Sequence, residues 1–233
     1  MNHRGYVSWS EVAVDELYRE GAGHRVFAAL YTWMSPAIEA GPVGAARRDL
    51  VTQARGVVVD LGAGAGVNLA HLGPAVTHVD LVEPDPHMLR RLGTRLPAHA
   101  QVHQAGAERL PLPMACADTV LATLTLCTVQ DPHAAVDEIR RVLRPGGRLL
   151  ILEHVRAADP RLARWQHRTA GIWSRLGGGC RPDRDTVGLL TRAGFDIGVL
   201  RHFSVPGMPL ASEWVTGWLT PGTAPARDDS RRK

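Results

Sequence analysis

Three glycines at alternate positions, Gly62, Gly64 and Gly66, close a run that begins Val57-Val58-Val59-Asp60-Leu61, and Glu83 stands 23 residues after Asp60. These residue types at this spacing suit the holding of a nucleoside. Glycine permits φ > 0 and leaves the backbone bare for close approach, and a helix opening after the glycines offers unpaired N–H groups. An acidic side chain ending the next strand can accept hydrogen bonds from ribose hydroxyls. The dinucleotide fingerprint G-x-G-x-x-G is not met, because Val67 stands where its third glycine would be. Lys233 is the only lysine, so a P-loop, a Schiff base and the Tyr-x-x-x-Lys pair of a dehydrogenase all lack their internal lysine. The eleven histidines include no H-E-x-x-H, and Cys116, Cys127 and Cys180 show no C-x-x-C spacing. Neither a metal site nor a disulfide framework is indicated, and reduced thiols are expected.

The glycines need a strand before them and a helix after them, and from residue 57 that alternation is regular. Strands are expected at 57–61, 77–82, 101–104, 118–123 and 148–153, with helices to about 72, over 85–96 and over 132–143. Asp131 is placed to cap the third of these helices, and Arg144-Pro145-Gly146-Gly147 to stop it. Helices at 161–176 and 183–192 and strands at 195–202 and 209–219 follow. The pattern predicts an α/β, Rossmann-like fold: a seven-stranded, mostly parallel sheet with helices on both faces. Gly62–Gly66, Glu83, Gly106-Ala107 and Thr123-Leu124 all follow the carboxyl ends of strands, where such sheets bind ligands.

At 45% hydrophobic and 21% charged the chain is globular in composition. Residues 51–222 are expected to form the main domain, with 1–50 as an N-terminal helical arm and 223–233 as a disordered tail. An insert after strand five, at about 156–182, joins the arm in a cap. All twelve aromatics lie outside residues 35–164, in the arm or after Arg164, which predicts an aromatic cap over an apolar substrate, with simple packing onto the sheet as the equal alternative. On the insert helix Arg161, Arg164, Arg168 and Arg175 flank the apolar stripe Leu162, Trp165, Thr169, Ile172 and Leu176. The arginine stripe could meet an anionic membrane or an acidic ligand, or be solvated. The excess of 27 basic over 23 acidic residues is spread along the chain, so nucleic acid is not expected as a partner. No apolar run is long enough to span a membrane, and a cytoplasmic location is expected.

Taken together, Asp60-Leu61-Gly62-Ala63-Gly64-Ala65-Gly66, Glu83 and Leu143-Arg144-Pro145-Gly146-Gly147-Arg148-Leu149 resemble class I S-adenosylmethionine-dependent methyltransferases over roughly residues 50–155. Leu124-Thr125-Leu126-Cys127-Thr128-Val129, Glu153-His154-Val155 and Gly179-Cys180 resemble the small-molecule branch of thiol S-methyltransferases and, more distantly, ubiquinone/menaquinone C-methyltransferases. The resemblance implies S-adenosyl-L-methionine as cofactor, in contact with Asp60, Gly62, Ala63, Gly64, Gly66, Glu83, Pro84, Gly106, Ala107, Thr123 and Leu124. Gly106 stands where the family often has an acidic residue near the adenine amine, and the hydrophobic N-terminal anchor of the thiol enzymes is missing. His154, ending strand five, is the candidate general base, with support of the cap as its alternative role. Tyr31, Trp33, Leu126, Trp165 and Trp173 are candidates for substrate contact.

The reaction expected is methyl transfer to a small apolar acceptor, a thiol first. C-, N- or O-methylation of a natural product, quinone or lipid remains open, as does a non-catalytic S-adenosylmethionine-binding module. The sequence leaves monomer and homodimer undecided.

Overall fold

The computed structural model describes residues 25–93 and 96–222. The expected disordered tail and the first half of the arm, including Tyr6, Trp9 and Tyr18, lie outside the described residues. Strands β1 (Gly56–Leu61), β2 (Val76–Val82), β3 (Ala100–His103), β4 (Ala117–Thr123) and β5 (Leu143–His154) are followed by β6 (Phe195–Asp196), β7 (Arg201–Ser204) and β8 (Glu213–Pro221). The sheet order is β3-β2-β1-β4-β5-β8-β6, with β7 also paired to β8. The first five strands run parallel, and β8 is antiparallel to β5, β6 and β7.

Eight strands replace the expected seven because the stretch 195–202 is broken. Asp196 Oδ1 accepts the N–H of Gly198 at 3.0 Å, and this local turn ends β6 before β7 begins. The last strand starts later than expected, since Pro209–Ala211 forms a 3-10 turn. A short 3-10 segment, Val67–His71, stands in place of the first sheet helix.

Strand side chains alternate between two cores. Val59, Val120, Ala122, Leu149 and Ile151 meet Ala135, Val136, Ile139 and Val142 of helix α4 (Pro132–Val142; α3 is Pro86–Leu92). Asp131 caps α4 as expected, its side chain accepting the N–H groups of His133 and Ala134. Leu189 and Leu190 of α6 (Thr186–Arg192) join the same core. On the opposite face Val58, Leu121, Leu150 and Leu152 meet Val43, Leu50 and Val51 of α2 (Pro42–Val51), which follows α1 (Arg25–Glu39). The end of the expected arm, α2, is therefore a sheet-covering helix.

Helix α5 (Pro160–Leu176) turns Gln166 and Ala170 inward, both 0% exposed, and leaves Ile172 and Trp165 at 67% and 42%. Its apolar stripe faces out, because Gln166 takes the inner position by accepting from the N–H of Ala157 at 2.9 Å and donating to the carbonyl of Leu210 at 3.0 Å.

Candidate active site

The glycine loop joins the carboxyl end of β1 to the 3-10 segment. Gly62, Gly64 and Gly66 have φ of 64°, 57° and 81°. A Cβ on Gly62 would lie 2.7 Å from Thr125 Oγ1, and one on Gly66 2.5 Å from Leu92 Cδ1. On Gly64 it would meet nothing closer than 3.8 Å. Packing thus demands two of the glycines, while the third presents an open backbone. Glu83, at the end of β2, accepts the N–H of Gly64 at 2.9 Å and of Asp85 at 2.8 Å through different oxygens. Burial raises its pKa against these two hydrogen bonds.

Beneath the loop lies a buried polar network that local sequence did not announce. Arg47 of α2, 2% exposed, donates from Nη1 to Asn68 Oδ1 and to Thr123 Oγ1, each at 2.8 Å, and pairs through Nε with Glu39 at 3.0 Å. Asn68 in turn donates to Asp60 Oδ1 at 2.8 Å. Arg47 Nη2 and Asp60 Oδ2 are buried with no hydrogen-bond partner among the described residues. Burial pushes the Asp60 carboxyl up to about 7. A cationic and an anionic group, each with one empty position and joined through Asn68, is an arrangement that burial penalises unless something fills both.

The loop after β3 holds Gly106 and the buried Ala107. A Cβ on Gly106 would fall 2.6 Å from Glu108 Oε2, so an acidic group does reach this loop, two residues later than expected. Its other oxygen accepts the N–H of Gln130 at 2.9 Å. After β4, Leu124 adopts φ 60°, a left-handed backbone for a non-glycine residue. Thr125 Oγ1 donates to the carbonyl of Leu61 at 2.6 Å. Glu153, 0% exposed, fixes this turn by accepting the N–H groups of Thr125, Leu126 and Cys127 at 2.7, 2.7 and 3.2 Å.

Past Leu126 three soft side chains converge. The sulfurs of Cys127 and Cys180 and a ring nitrogen of His154 lie within 4.8 Å of one another. His154 Nε2 is 3.0 Å from Cys180 Sγ, and Trp173 Nε1 donates to the same sulfur at 3.2 Å. Hydrogen bonding from Cys127, then from His154 and Trp173, holds the Cys180 thiol well below its usual range, while Cys127, the donor, is held well above. Burial works against a charged His154, yet contact with Cys180 outweighs it and raises its pKa.

Tyr31 of α1 is partly buried. Burial raises its pKa, and the charges of Arg47, Glu39, Cys127 and Glu83 all act on its hydroxyl. Trp33, by contrast, is 79% exposed, Pro84 is exposed, and Trp165 sits on the outer face of α5 with Arg161, Arg164, Arg168 and Arg175. Asp60, Gly62, Ala63, Gly64, Gly66, Glu83, Thr123 and Leu124 lie together at the sheet's carboxyl edge, with Gly106 and Ala107 following β3. Arg47 and Asn68 were missed by sequence reasoning, and Glu153, Cys127 and Cys180 were noted there as motif members without a role in the site. Asn68 two residues past the last glycine and Glu153 beside His154 carried a local signal; Arg47 and the cysteines did not.

No helix among the described residues is long and apolar enough to cross a membrane. Residues 59–151 match the family described as Methyltransferase domain. The chain is 32% identical over 166 residues to the thiol S-methyltransferase TMT1B of Homo sapiens, covering 64% of this chain and 67% of that one. It is 34% identical over 153 residues to the ubiquinone/menaquinone biosynthesis C-methyltransferase UbiE of Rubrivivax gelatinosus, covering 63% and 61%. The chain thus spans roughly three fifths to two thirds of these relatives. A solved SAM-dependent methyltransferase of Thermotoga maritima superposes with a TM-score of 0.60 at 21% identity, over 89% of this chain and 97% of that one, and shares its fold. The chain belongs to the class I S-adenosylmethionine-dependent methyltransferases.

Proposed function

We propose that the protein transfers the methyl group of S-adenosylmethionine to the thiol of a small apolar acceptor. The observation that carries the donor half is the unfilled pair of Arg47 Nη2 and Asp60 Oδ2, buried and of opposite sign. The amino-acid end of S-adenosylmethionine offers a carboxylate for Arg47 and an ammonium for Asp60, so the residues present fit that cofactor. Glu83, with one lone pair still free on each oxygen after its two N–H bonds, suits the ribose hydroxyls. The open backbone at Gly64 leaves room for the methionine chain, and Ala107 with Glu108 bounds the adenine end.

When bound, the cofactor supplies an activated methyl: the acceptor sulfur's lone pair forms the new S–C bond while the old C–S bond breaks and its electrons return to the donor sulfur. The protein's part is to orient and to exclude water, an effect worth on the order of 7–11 kcal/mol in well-aligned systems. A free thiol with pKa near ~8.5 is partly ionised at neutral pH and needs little help from a base. Similarity to the human thiol enzyme supports sulfur as the acceptor atom, and Trp173, 37% exposed beside Cys180, offers an apolar surface to the acceptor. His154 supports Cys180 through Nε2, while its buried Nδ1 has no hydrogen-bond partner among the described residues.

Similarity to the bacterial C-methyltransferase favours one second reading, methylation of a quinol carbon. Incubation with labelled S-adenosylmethionine and a panel of apolar thiols and quinols, read by mass spectrometry, separates the two. Label on sulfur is expected. Label on a quinol ring carbon, with thiols untouched, would overturn the thiol reading.

A further inference from the structure

We propose that Cys127, His154 and Cys180 bind one thiophilic divalent metal ion, zinc by preference, leaving a fourth coordination position for the acceptor's sulfur. Two sulfurs and an imidazole nitrogen within 4.8 Å of one another form a ligand set of the kind zinc takes. With metal–sulfur bonds of about 2.3 Å and metal–nitrogen bonds of about 2.0–2.1 Å, a tetrahedral site has ligand–ligand edges of roughly 3.5–3.8 Å. The observed cluster reaches that shape by small side-chain adjustments. Three protein ligands, rather than four, is the pattern of sites that keep a position open.

The chain positions each of the three independently. Glu153 accepts the N–H of Cys127, and the N–H of Arg181 donates to the Cys127 carbonyl at 2.8 Å, which ties the turn after β4 to the loop after α5. Gly179, at φ 93°, lets that loop close in, because a Cβ there would stand 3.0 Å from the carbonyl of Thr128. His154 is fixed by the last pairing of β5 with β8, opposite Trp214. Trp173 then supplies an N–H to Cys180 Sγ, the kind of outer-shell hydrogen bond that steadies a metal thiolate. Glu153 spends three of its lone pairs on backbone N–H groups of the turn, and the fourth position is assigned to an external ligand.

The occupant of that position rests on the thiol reading above; the three-residue site does not. An arriving thiol releases its proton to solvent, and its sulfur lone pair forms the bond to the metal as water leaves. Cys127 lies four residues after Thr123, whose hydroxyl accepts from Arg47 Nη1, so the single turn after β4 joins the cluster to the donor pocket.

The test uses the full chain, purified without chelator and assayed for metal, then stripped and titrated with cobalt(II). One equivalent with tetrahedral d–d bands and a thiolate charge-transfer band is expected. Cys180→Ser and His154→Ala should each weaken cobalt binding by at least roughly 10–100-fold, with folding checked by circular dichroism. Cys116→Ser, which alters a thiol at the opposite end of β4, should bind as the wild type does. Addition of 1-butanethiol should shift the cobalt spectrum. Absence of metal and of any cobalt spectrum in the wild type overturns the site, even where thiols are methylated. A cobalt spectrum unmoved by 1-butanethiol overturns the open position. A shifted spectrum without thiol methylation supports the site and counts against the thiol reading instead.

Discussion

The two sides of Leu124 are built on opposite principles. On the donor side, a contiguous glycine loop sits over buried ions with unfilled positions, Arg47 Nη2 and Asp60 Oδ2. On the acceptor side, groups from three distant segments, Cys127, His154 and Cys180, gather around shared contacts, with His154 Nδ1 as the one ring atom left without a partner among the described residues. A site with unfilled charge is organised by the ligand it awaits, and a site of mutually bonded soft groups is organised before its ligand arrives. The first should therefore respond strongly to charge removal, the second to changes of ligand atom.

Arg47→Met should break this contrast most severely. Removing one partner of a buried charged contact costs about 2–5 kcal/mol in binding, a loss of roughly 30-fold to several thousand-fold in affinity for S-adenosylhomocysteine, measurable by calorimetry. Acceptor-side variants such as Cys180→Ser should leave that affinity within a few-fold of wild type.

Asp60 gives the next effect, and its sign is fixed. The folded carboxyl titrates at about 7, above its ordinary 3.8, so the ligand-free fold holds an extra proton between those values. Its stability is then full below the unfolded value and falls, by on the order of a few kcal/mol, as pH rises through about 7. Asp60→Asn should flatten that slope in thermal or urea unfolding. In the wild type, affinity for the ligand's ammonium should weaken as pH drops below about 7, where Asp60 protonates; a pH-independent affinity would count against this pairing.

The glycines sharpen the comparison at smaller scale. Gly62→Ala should destabilise by roughly 1–3 kcal/mol, because φ 64° strains an alanine and its Cβ would lie 2.7 Å from Thr125 Oγ1. Gly64→Ala meets open space, so strain alone, about 1 kcal/mol, remains in the unfolding midpoint. Its larger effect should appear in donor affinity.

Sequence alone placed the glycine loop and Glu83 at the ends of β1 and β2, because a strand, a glycine turn and an acidic strand end are local features with fixed spacing. It also placed β1 to β5, since buried parallel strands read as apolar runs between turn signals. The β6–β7 break escaped, for it depends on one Asp196 turn within an otherwise strand-like stretch. Arg47 escaped because an Arg47-Arg48 pair in a helix normally reads as solvated surface; only the packing of α2 on the sheet buries it. The cysteine–histidine cluster escaped because its members lie 27 and 26 residues apart in the chain, and only the crossovers and the closely packed loop at Gly179 bring them together. The outward turn of the α5 apolar stripe followed from Gln166, a polar residue whose two hydrogen bonds claim the inner face.

The central claim, that the unfilled Arg47 and Asp60 positions receive the amino-acid end of the cofactor, is tested most directly by comparing two ligands. Calorimetric affinities of S-adenosylhomocysteine and of 5′-methylthioadenosine, which lacks that end, should be measured for the wild type and for Arg47→Met above pH 7. The account predicts a large preference for S-adenosylhomocysteine in the wild type that collapses in the variant. An equal preference in both proteins would show that the amino-acid end is held elsewhere and would contradict it.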